Sequence, residues 1–251
     1  MTRSLATQST TELGGSRSVL ARQKRDHVEL DRLLRAIDAT SGRDRQEQLT
    51  RLCRLVFPHA FAEESVLWPV IRRVLPDGEQ LTLTIEREHQ EINELFTELE
   101  KTDPDGARHG ELWSRIVTLL REDVRDEEDV LLPKLQAVLS RNQLVMLGFA
   151  WEAVRQTAPT RPHPVVARRP PGNVAAAVPL TLTDRLRDHL DRTARRGSGP
   201  LSSASRRASV ALSRVAGLVE HVPPLTRGED PSTHATATSL GRRNDKVQGR
   251  S

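Results

Sequence analysis

Apolar residues recur every three or four positions through most of the first 139 residues, and almost no stretch alternates as a strand would. This spacing predicts four amphipathic helices, over residues 16–40, 43–75, 79–100 and 107–139. Short stretches of glycine, proline, serine and aspartate separate them, at residues 41–42, 76–78 and 103–106. Long helices joined by short loops predict an all-α fold, an up-down-up-down four-helix bundle.

The chain changes character after residue 140. Residues 143–156 predict a fifth, short helix, and residues 180–196 predict a further basic helix. Between them lie two proline-rich stretches, PTRPHP and RRPPG, which favour an extended connector. From Gly197 on, serine, arginine, threonine, glycine and proline dominate, so we expect mostly disorder there. Residues 210–222 are the exception, because their weak amphipathic pattern would suit docking on a partner or a membrane surface.

These patterns divide the chain into four parts. We expect a flexible N-terminus over residues 1–15, a bundle over 16–140, additional helices with a proline-rich connector over 141–196, and a mostly disordered basic tail over 197–251. Charge follows the same division. The first 150 residues carry 21 lysines and arginines against 26 acidic residues, whereas the remaining 101 carry 17 against 8. A basic tail can attract nucleic acid or anionic lipid, or it can be a solubilising or partner-binding appendage.

Cysteine use and hydropathy exclude several classes of protein. Cys53 is the only cysteine, so no internal disulfide can form, and this suits a reducing compartment. The N-terminus lacks the apolar core of a signal peptide, and no apolar run is long enough to cross a membrane. We therefore expect a cytoplasmic protein.

Each helix of the predicted bundle places metal-binding residue types on its apolar stripe. The first and third helices offer one histidine each, and the second and fourth offer a pair four positions apart: His27, His59, Glu63, His89, Asp123 and Glu127. Residues four apart share one face of a helix. Six such groups cannot be buried together as free ions, because uncompensated carboxylates repel each other and lose hydration. Cations remove this difficulty, and the mixed nitrogen and oxygen donors suit iron or manganese, with zinc also acceptable.

The same elements occur twice along the chain. RDHVELDRLL at 25–34 is similar to REHQEINELF at 87–96, and HAFAEESVLWP at 59–69 is similar to DVRDEEDVLLP at 123–133. The bundle is therefore expected to consist of two related helical hairpins, each with one lone histidine and one pair. Carboxylates and histidines from four helices are a known way to hold two metals in a bundle core.

These motifs resemble those of the hemerythrin-like HHE cation-binding domain family. The likeness rests on DH in the first helix, H-x-x-x-E-E before a proline in the second, and EH in the third, and it covers roughly residues 16–139. It implies a four-helix bundle with a non-haem di-iron centre. Some members of the family bind dioxygen reversibly, and others are linked to iron, nitric oxide or peroxide responses. The resemblance thus implies that this chain binds or senses such a small molecule.

The chain departs from the family pattern at Asp123, where the family usually has histidine. An aspartate can bind a metal through oxygen, but it is shorter than histidine and adds a negative charge, whereas a metal-bound imidazole is neutral. Two metals could bind with a carboxylate-rich second site, or one metal could bind through His27, His59 and Glu63 with help from across the bundle. Two further functions stay open. One is a catalase-like di-iron enzyme, and the other is an interaction module with a structural metal and a basic partner-binding tail.

The polar neighbours of these residues receive more ordinary interpretations. Glu64 and Glu128 lie about 100° around the helix from the glutamates before them, so we expect them beside the site or on the surface. Asp26 and Glu88, each just before a histidine, are expected to be solvated. Pro58 removes one hydrogen bond inside the second helix and favours a kink or a break there.

Overall fold

The computed structural model describes residues 3–197, 199–222, 225 and 230–233. Over these residues the chain is helical and contains no strand, which confirms the predicted all-α class. The helices are α1 (Val19–Asp38), α2 (Gly42–Ala62), α3 (Trp68–Val74), α4 (Gly78–Leu99), α5 (Ala107–Asp126), α6 (Leu132–Val138), α7 (Arg141–Thr157), α8 (Gly172–Arg196) and α9 (Pro200–Glu220). None of these described helices combines the length and the apolar character that crossing a membrane requires.

Four long rods form the bundle. α1 packs against α2, and α4 packs against α5, so each of these pairs is one helical hairpin. The second rod is α2 continued into α3 through a π-helical turn at Glu63–Leu67. The fourth rod is α5 continued into α6 through a π-helical turn at Glu127–Leu131. Pro58 lies inside α2, which runs through it without a break.

A proline follows each π turn and accounts for it. Pro69 and Pro133 lie at the start of α3 and α6, and a proline has no N–H to donate to the carbonyl four residues back. The helix widens just before this point, where the Trp68 N–H donates to the Glu63 carbonyl, five residues back. The second turn repeats the same bond. Such π turns are frequent at functional sites.

Two apolar layers enclose a polar level in the middle of the bundle. One layer includes the fully buried side chains of Leu20, Trp68, Ile71, Leu132 and Trp151. The other includes Leu34, Ile37, Leu52, Phe96 and Ile116. Along each rod, the predicted metal-binding residues lie between these two layers. The fold therefore holds them away from both ends of the bundle.

The N-terminal residues differ from the predicted flexible segment. Leu5 and Leu13 are fully buried in the apolar layer that contains Trp68. The ammonium group of Lys24 in α1 donates to the carbonyl oxygens of Ala6 and Gln8, at 2.8 and 2.6 Å. Two isolated leucines do not form the periodic pattern that predicts a helix or a strand. Their burial nevertheless holds this N-terminal segment against the bundle.

The segment after Gly197 also differs from the predicted disorder. α9 packs along α8, and the residues it buries are mainly small: Ser202, Ser205, Ser209, Ala216 and Glu220. Small side chains let two helix backbones approach closely. The serine- and alanine-rich composition that predicts disorder is therefore also one that allows α9 to pack against α8. Beyond residue 222, the predicted tail lies outside the described residues apart from residues 225 and 230–233.

Candidate metal centre

Five of the six predicted metal-binding side chains meet at the polar level of the bundle. They form two groups of three, and the ligand atoms of each group lie within 4.8 Å of one another. The first group is His27, His59 and Glu127, and the second is Glu63, His89 and Glu127. The Glu127 carboxylate belongs to both groups, so it lies between two prospective cation positions.

The two groups do not follow the division into hairpins that the repeat suggests. The Nε2 atom of His27 lies 3.1 Å from Oε2 of Glu127, which comes from the other hairpin. Glu63 lies between two histidines, with Oε1 3.0 Å from His59 Nε2 and Oε2 3.8 Å from His89 Nε2. Each group therefore contains side chains from both hairpins.

Asp123 lies beside the second group rather than within it. Its Oδ1 atom is 3.5 Å from His89 Nε2 and makes no hydrogen bond to any residue that the structure describes. The carboxylate is close enough to serve the same cation as His89, and its role as a ligand stays a prediction.

A glutamate holds the outer nitrogen of two of the histidines. His27 Nδ1 donates to Glu128 Oε1 at 2.8 Å, and His89 Nδ1 donates to Glu64 Oε1 at 3.0 Å. These bonds fix the ring orientation and leave each Nε2 facing the centre. Both glutamates are buried. The second glutamate of each Glu-Glu pair thus lies beside the site, one of the two places expected from the sequence, and supports a histidine there.

The prediction that Asp26 is solvated is wrong. Its side chain is buried, and its Oδ2 atom lies 3.5 Å from His59 Nδ1. Arg25 lies 2.9 Å from this carboxylate, and Arg155 of α7 lies 3.8 Å from it. Burial opposes ionisation, but His59 and the two arginines outweigh it and lower the pKa of Asp26 to about 2. Arg25 is adjacent to Asp26 in the chain, but His59 and Arg155 are distant from it, so most of this environment cannot be predicted from the neighbouring sequence.

Comparison with known proteins agrees with this arrangement. Residues 18–135 match the family model of the hemerythrin HHE cation binding domain. The bundle is a hemerythrin HHE domain. An uncharacterized hemerythrin-like protein of Schizosaccharomyces pombe is 22% identical over 135 residues, which are 53% of this chain and 66% of that protein. No solved structure matches the chain.

Several buried polar atoms at the centre of the HHE domain make no hydrogen bond to another described residue. They include Nε2 of His27, both carboxylate oxygens of Glu63 and Glu127, and Oδ1 of Asp123. Each buried polar atom without a partner costs about 1–3 kcal/mol, so a cluster of them indicates that they bind something. Imidazole nitrogen and carboxylate oxygen are donors that iron, manganese and zinc accept. The residues present therefore fit a bound cation.

The electrostatics of the HHE centre also favour positive charge. Burial alone would lower the pKa of His27, but Glu127 and Glu128 outweigh it and raise that pKa to about 9. The pKa values of His59 and His89 lie well above the usual range, because neighbouring carboxylates again outweigh burial. Burial and a nearby carboxylate raise the pKa of Glu127. Without a cation the cluster holds protons, and a metal ion would take their place.

A cavity of about 20 Å³ adjoins the centre of the HHE domain. Its polar side is lined by His27, His59, His89 and Asp123, and its apolar side includes Phe57, Ala60, Ile92 and Leu120. Since roughly 10–15 Å³ is enough for one water, this cavity has room for a water or a diatomic molecule. A small ligand could therefore reach the same level of the bundle as the metal-binding side chains.

Proposed function

We propose that the HHE domain holds two non-haem iron ions and binds dioxygen, nitric oxide or peroxide beside them. The observation that carries the proposal is the pair of ligand groups that share Glu127. His27 and His59 would bind one iron. Glu63 and His89 would bind the other, and Glu127 would bind both. Manganese or zinc would accept the same donors, so the identity of the metal must be measured directly.

The chain's own residues prepare this level of the bundle for a small ligand. Glu128 and Glu64 orient the rings of His27 and His89 through their Nδ1 atoms. Apolar residues such as Phe57 limit both the size of the cavity and the access of water. When bound, iron would supply redox chemistry and a coordination position for the small molecule.

A peroxide-consuming, catalase-like enzyme is the second candidate, and Asp123 favours it. This carboxylate lines the cavity, and its Oδ1 atom has no hydrogen-bond partner. A carboxylate in such a place can accept a proton from hydrogen peroxide. Continuous consumption of peroxide would support this function, whereas a single stoichiometric response would support binding or sensing.

The setting of the domain is also part of the proposal. We infer a cytoplasmic location, since a single cysteine suits a reducing compartment, and cell fractionation tests this directly. The excess of positive charge after residue 150 supports contact with an acidic protein or with nucleic acid. Binding to DNA that weakens steeply with salt, and that is lost when residues 197–251 are removed, would support a nucleic-acid partner.

Filling the small cavity separates ligand binding from metal binding. Ala60 lines the cavity and is not among the predicted ligands, so Ala60→Leu should leave the iron content unchanged and weaken small-molecule binding at least tenfold. The protein is reduced without oxygen, and its visible spectrum is recorded while nitric oxide, dioxygen or peroxide is added. A wild-type protein with full iron content and no spectral response to any of the three would refute the proposed function.

A further inference from the structure

A second cavity, of about 1160 Å³, lies between the bundle and the α8–α9 hairpin. α2 and α4 form one wall, residues 160–165 of the connector form another, and α8 with α9 closes the third. None of the six predicted metal ligands lines it. Its volume is that of a site for an organic molecule rather than for a diatomic gas. We infer that this cleft binds a small organic anion with an apolar body, and that Arg187 recognises the anionic group.

Arg187 of α8 lines the cleft and has a buried nitrogen without a hydrogen-bond partner among the described residues. Its side chain is only 12% exposed, yet it makes no hydrogen bond to any described residue. Its Nε atom is buried without a partner, and the nearest carboxylate oxygen, on Glu100, lies 3.8 Å away. Buried polar groups are nearly always hydrogen-bonded, and a guanidinium presents several N–H groups in a plane that matches a carboxylate, phosphate or sulfonate.

The acidic residues of the cleft are mostly occupied by other partners. Arg161 contacts both Asp188 and Asp191, at 2.9 and 2.5 Å. Glu220 accepts from His163 Nδ1 at 2.8 Å. Glu98 is likewise paired with an arginine, because its Oε1 atom lies 2.7 Å from Arg108 Nη2. These pairs leave the Arg187 guanidinium without a hydrogen-bonded carboxylate, and it interacts with Glu100, Asp184 and Asp191 only at longer range.

The remaining wall suits an apolar body. Leu49, Phe96, Leu99, Val165 and Val210 line the cleft together with three prolines. Burying an apolar ring system against such a surface contributes roughly 25 cal/mol for each Å² removed from water. The inferred ligand therefore combines a ring or short hydrocarbon with one oxyanion. This inference does not depend on the metal centre.

A dye of this chemistry provides the test. 8-Anilinonaphthalene-1-sulfonate carries an apolar ring system and a sulfonate, whereas N-phenyl-1-naphthylamine has the same rings without the charge. Cys53 lines the cleft and is the only cysteine in the chain, so its alkylation by a maleimide reports occupancy of the cleft without any added label. Burial raises the pKa of this thiol, so alkylation is slow enough to follow by intact-mass measurement.

In the full-length protein the sulfonate dye should bind with increased fluorescence and slow the alkylation of Cys53 several-fold. Arg187→Gln should weaken the sulfonate dye about tenfold or more, because a charge-assisted hydrogen bond is lost, and should leave the uncharged dye unaffected. Arg187→Lys keeps the charge and should retain most of the affinity. Arg206→Gln removes an exposed arginine of α9 outside the cleft and should change nothing.

Three results would overturn the inference. The first is no binding of the sulfonate dye, or binding that leaves Cys53 alkylation unchanged. The second is equal affinity of the sulfonate dye for the wild type and for Arg187→Gln. The third is equal weakening by Arg187→Gln and Arg206→Gln, which would assign the effect to net charge. If Arg187→Gln does not fold, the wild type, Arg187→Lys and Arg206→Gln still decide the matter through Cys53 protection.

Discussion

The two hairpins of the HHE domain are built from the same elements, yet they contribute unequally to the centre. Each places one histidine in its first helix and a Glu-Glu pair in a π turn before a proline. Where the first hairpin has His59, the second has Asp123. The first therefore offers two imidazoles, and the second offers one imidazole and an additional carboxylate. The two hairpins share the same arrangement of helices and π turns. The residue at this one position, His59 or Asp123, makes the charge that they contribute to the centre different.

The two halves also differ in what supports their histidines. Glu64, which accepts from His89, lies 3.8 Å from Arg168 in the connector after α7. Glu128 accepts from His27 and has no arginine or lysine within 4.0 Å among the described residues. Arg168 of the connector thus places a positive charge near the histidine, His89, that lies beside Asp123. Segments beyond the bundle take part in balancing the charge of the centre.

Removing the shared carboxylate should have the largest effect. Glu127→Ala should lose both metal ions, because Glu127 belongs to both ligand groups, whereas Glu63→Ala should lose mainly one. Glu64→Ala, which removes an outer partner, should retain more metal than either. Elemental analysis of each purified variant gives the metal content per chain. Asp44→Ala, an exposed acid of α2, serves as the control. Equal metal loss in the Glu63 and Glu64 variants would contradict the assignment.

The free energy of unfolding of the metal-free protein should depend on pH because of the histidines of the first hairpin. The pKa of His27 is raised to about 9 in the folded state, against 6.5 when unfolded. Its contribution to stability is therefore fully present below pH 6.5 and is lost as pH rises through about 9. The loss is on the order of 3 kcal/mol. Chemical denaturation in the presence of a chelator, from pH 6 to 9.5, measures it.

His27→Gln should flatten this pH dependence, and His189→Gln, on the exposed face of α8, should not. Metal affinity should change in the opposite direction and rise with pH, because a bound imidazole must be neutral. A His27 variant that keeps the wild-type slope would show that this residue does not carry the protonation.

Restoring the family residue in the second half should make the two halves more alike. Asp123→His removes a negative charge close to the second ligand group, which should raise the reduction potential of bound iron. At roughly 5 Å and an effective dielectric constant of about 20, one charge changes the potential by on the order of 100 mV. Asp126→His makes the same change on the exposed side of α5 and should have little effect. Equal potentials for the two variants, measured by spectroelectrochemistry, would remove Asp123 from the centre.

The smallest effect should come from the connector. Arg168→Gln should weaken metal binding only a few-fold, since it acts on His89 through Glu64, and Arg168→Lys should restore most of the loss. Arg169→Gln is the matched control, because Arg169 lies beside Glu86, at 2.8 Å, instead of Glu64. Competition with a chelator measures the affinity. Similar weakening in both Gln variants would mean that the connector has simply detached.

Local patterns were enough to predict the rods of the bundle and the side chains that meet in its core. Helical spacing fixed which faces turn inward, and the repeat marked His27 and His89 as counterparts. The sharing of Glu127 could not be predicted in this way, because it depends on how the two hairpins pack. Periodicity left open whether Glu64 and Glu128 lie beside the site or on the surface, because it assumes a regular helix, whereas both lie in π turns.

Long-range contacts account for the other differences. Arg155 and Arg168 reach the centre from segments more than 60 residues away from the histidines that they support. α9 has a serine- and alanine-rich composition that predicts disorder by itself, and it gains its helix by packing on α8. Periodicity and composition are properties of each segment alone, whereas these features arise only from contacts between segments.

The metal content of the protein purified from its native host tests the central claim most directly. Elemental mass spectrometry should find about two metal ions per chain, mainly iron, and chelation should lower the melting temperature, because the buried carboxylates and histidines lose their common partner. Protein that contains no iron, manganese or zinc, and that melts at the same temperature with and without a chelator, would contradict the account.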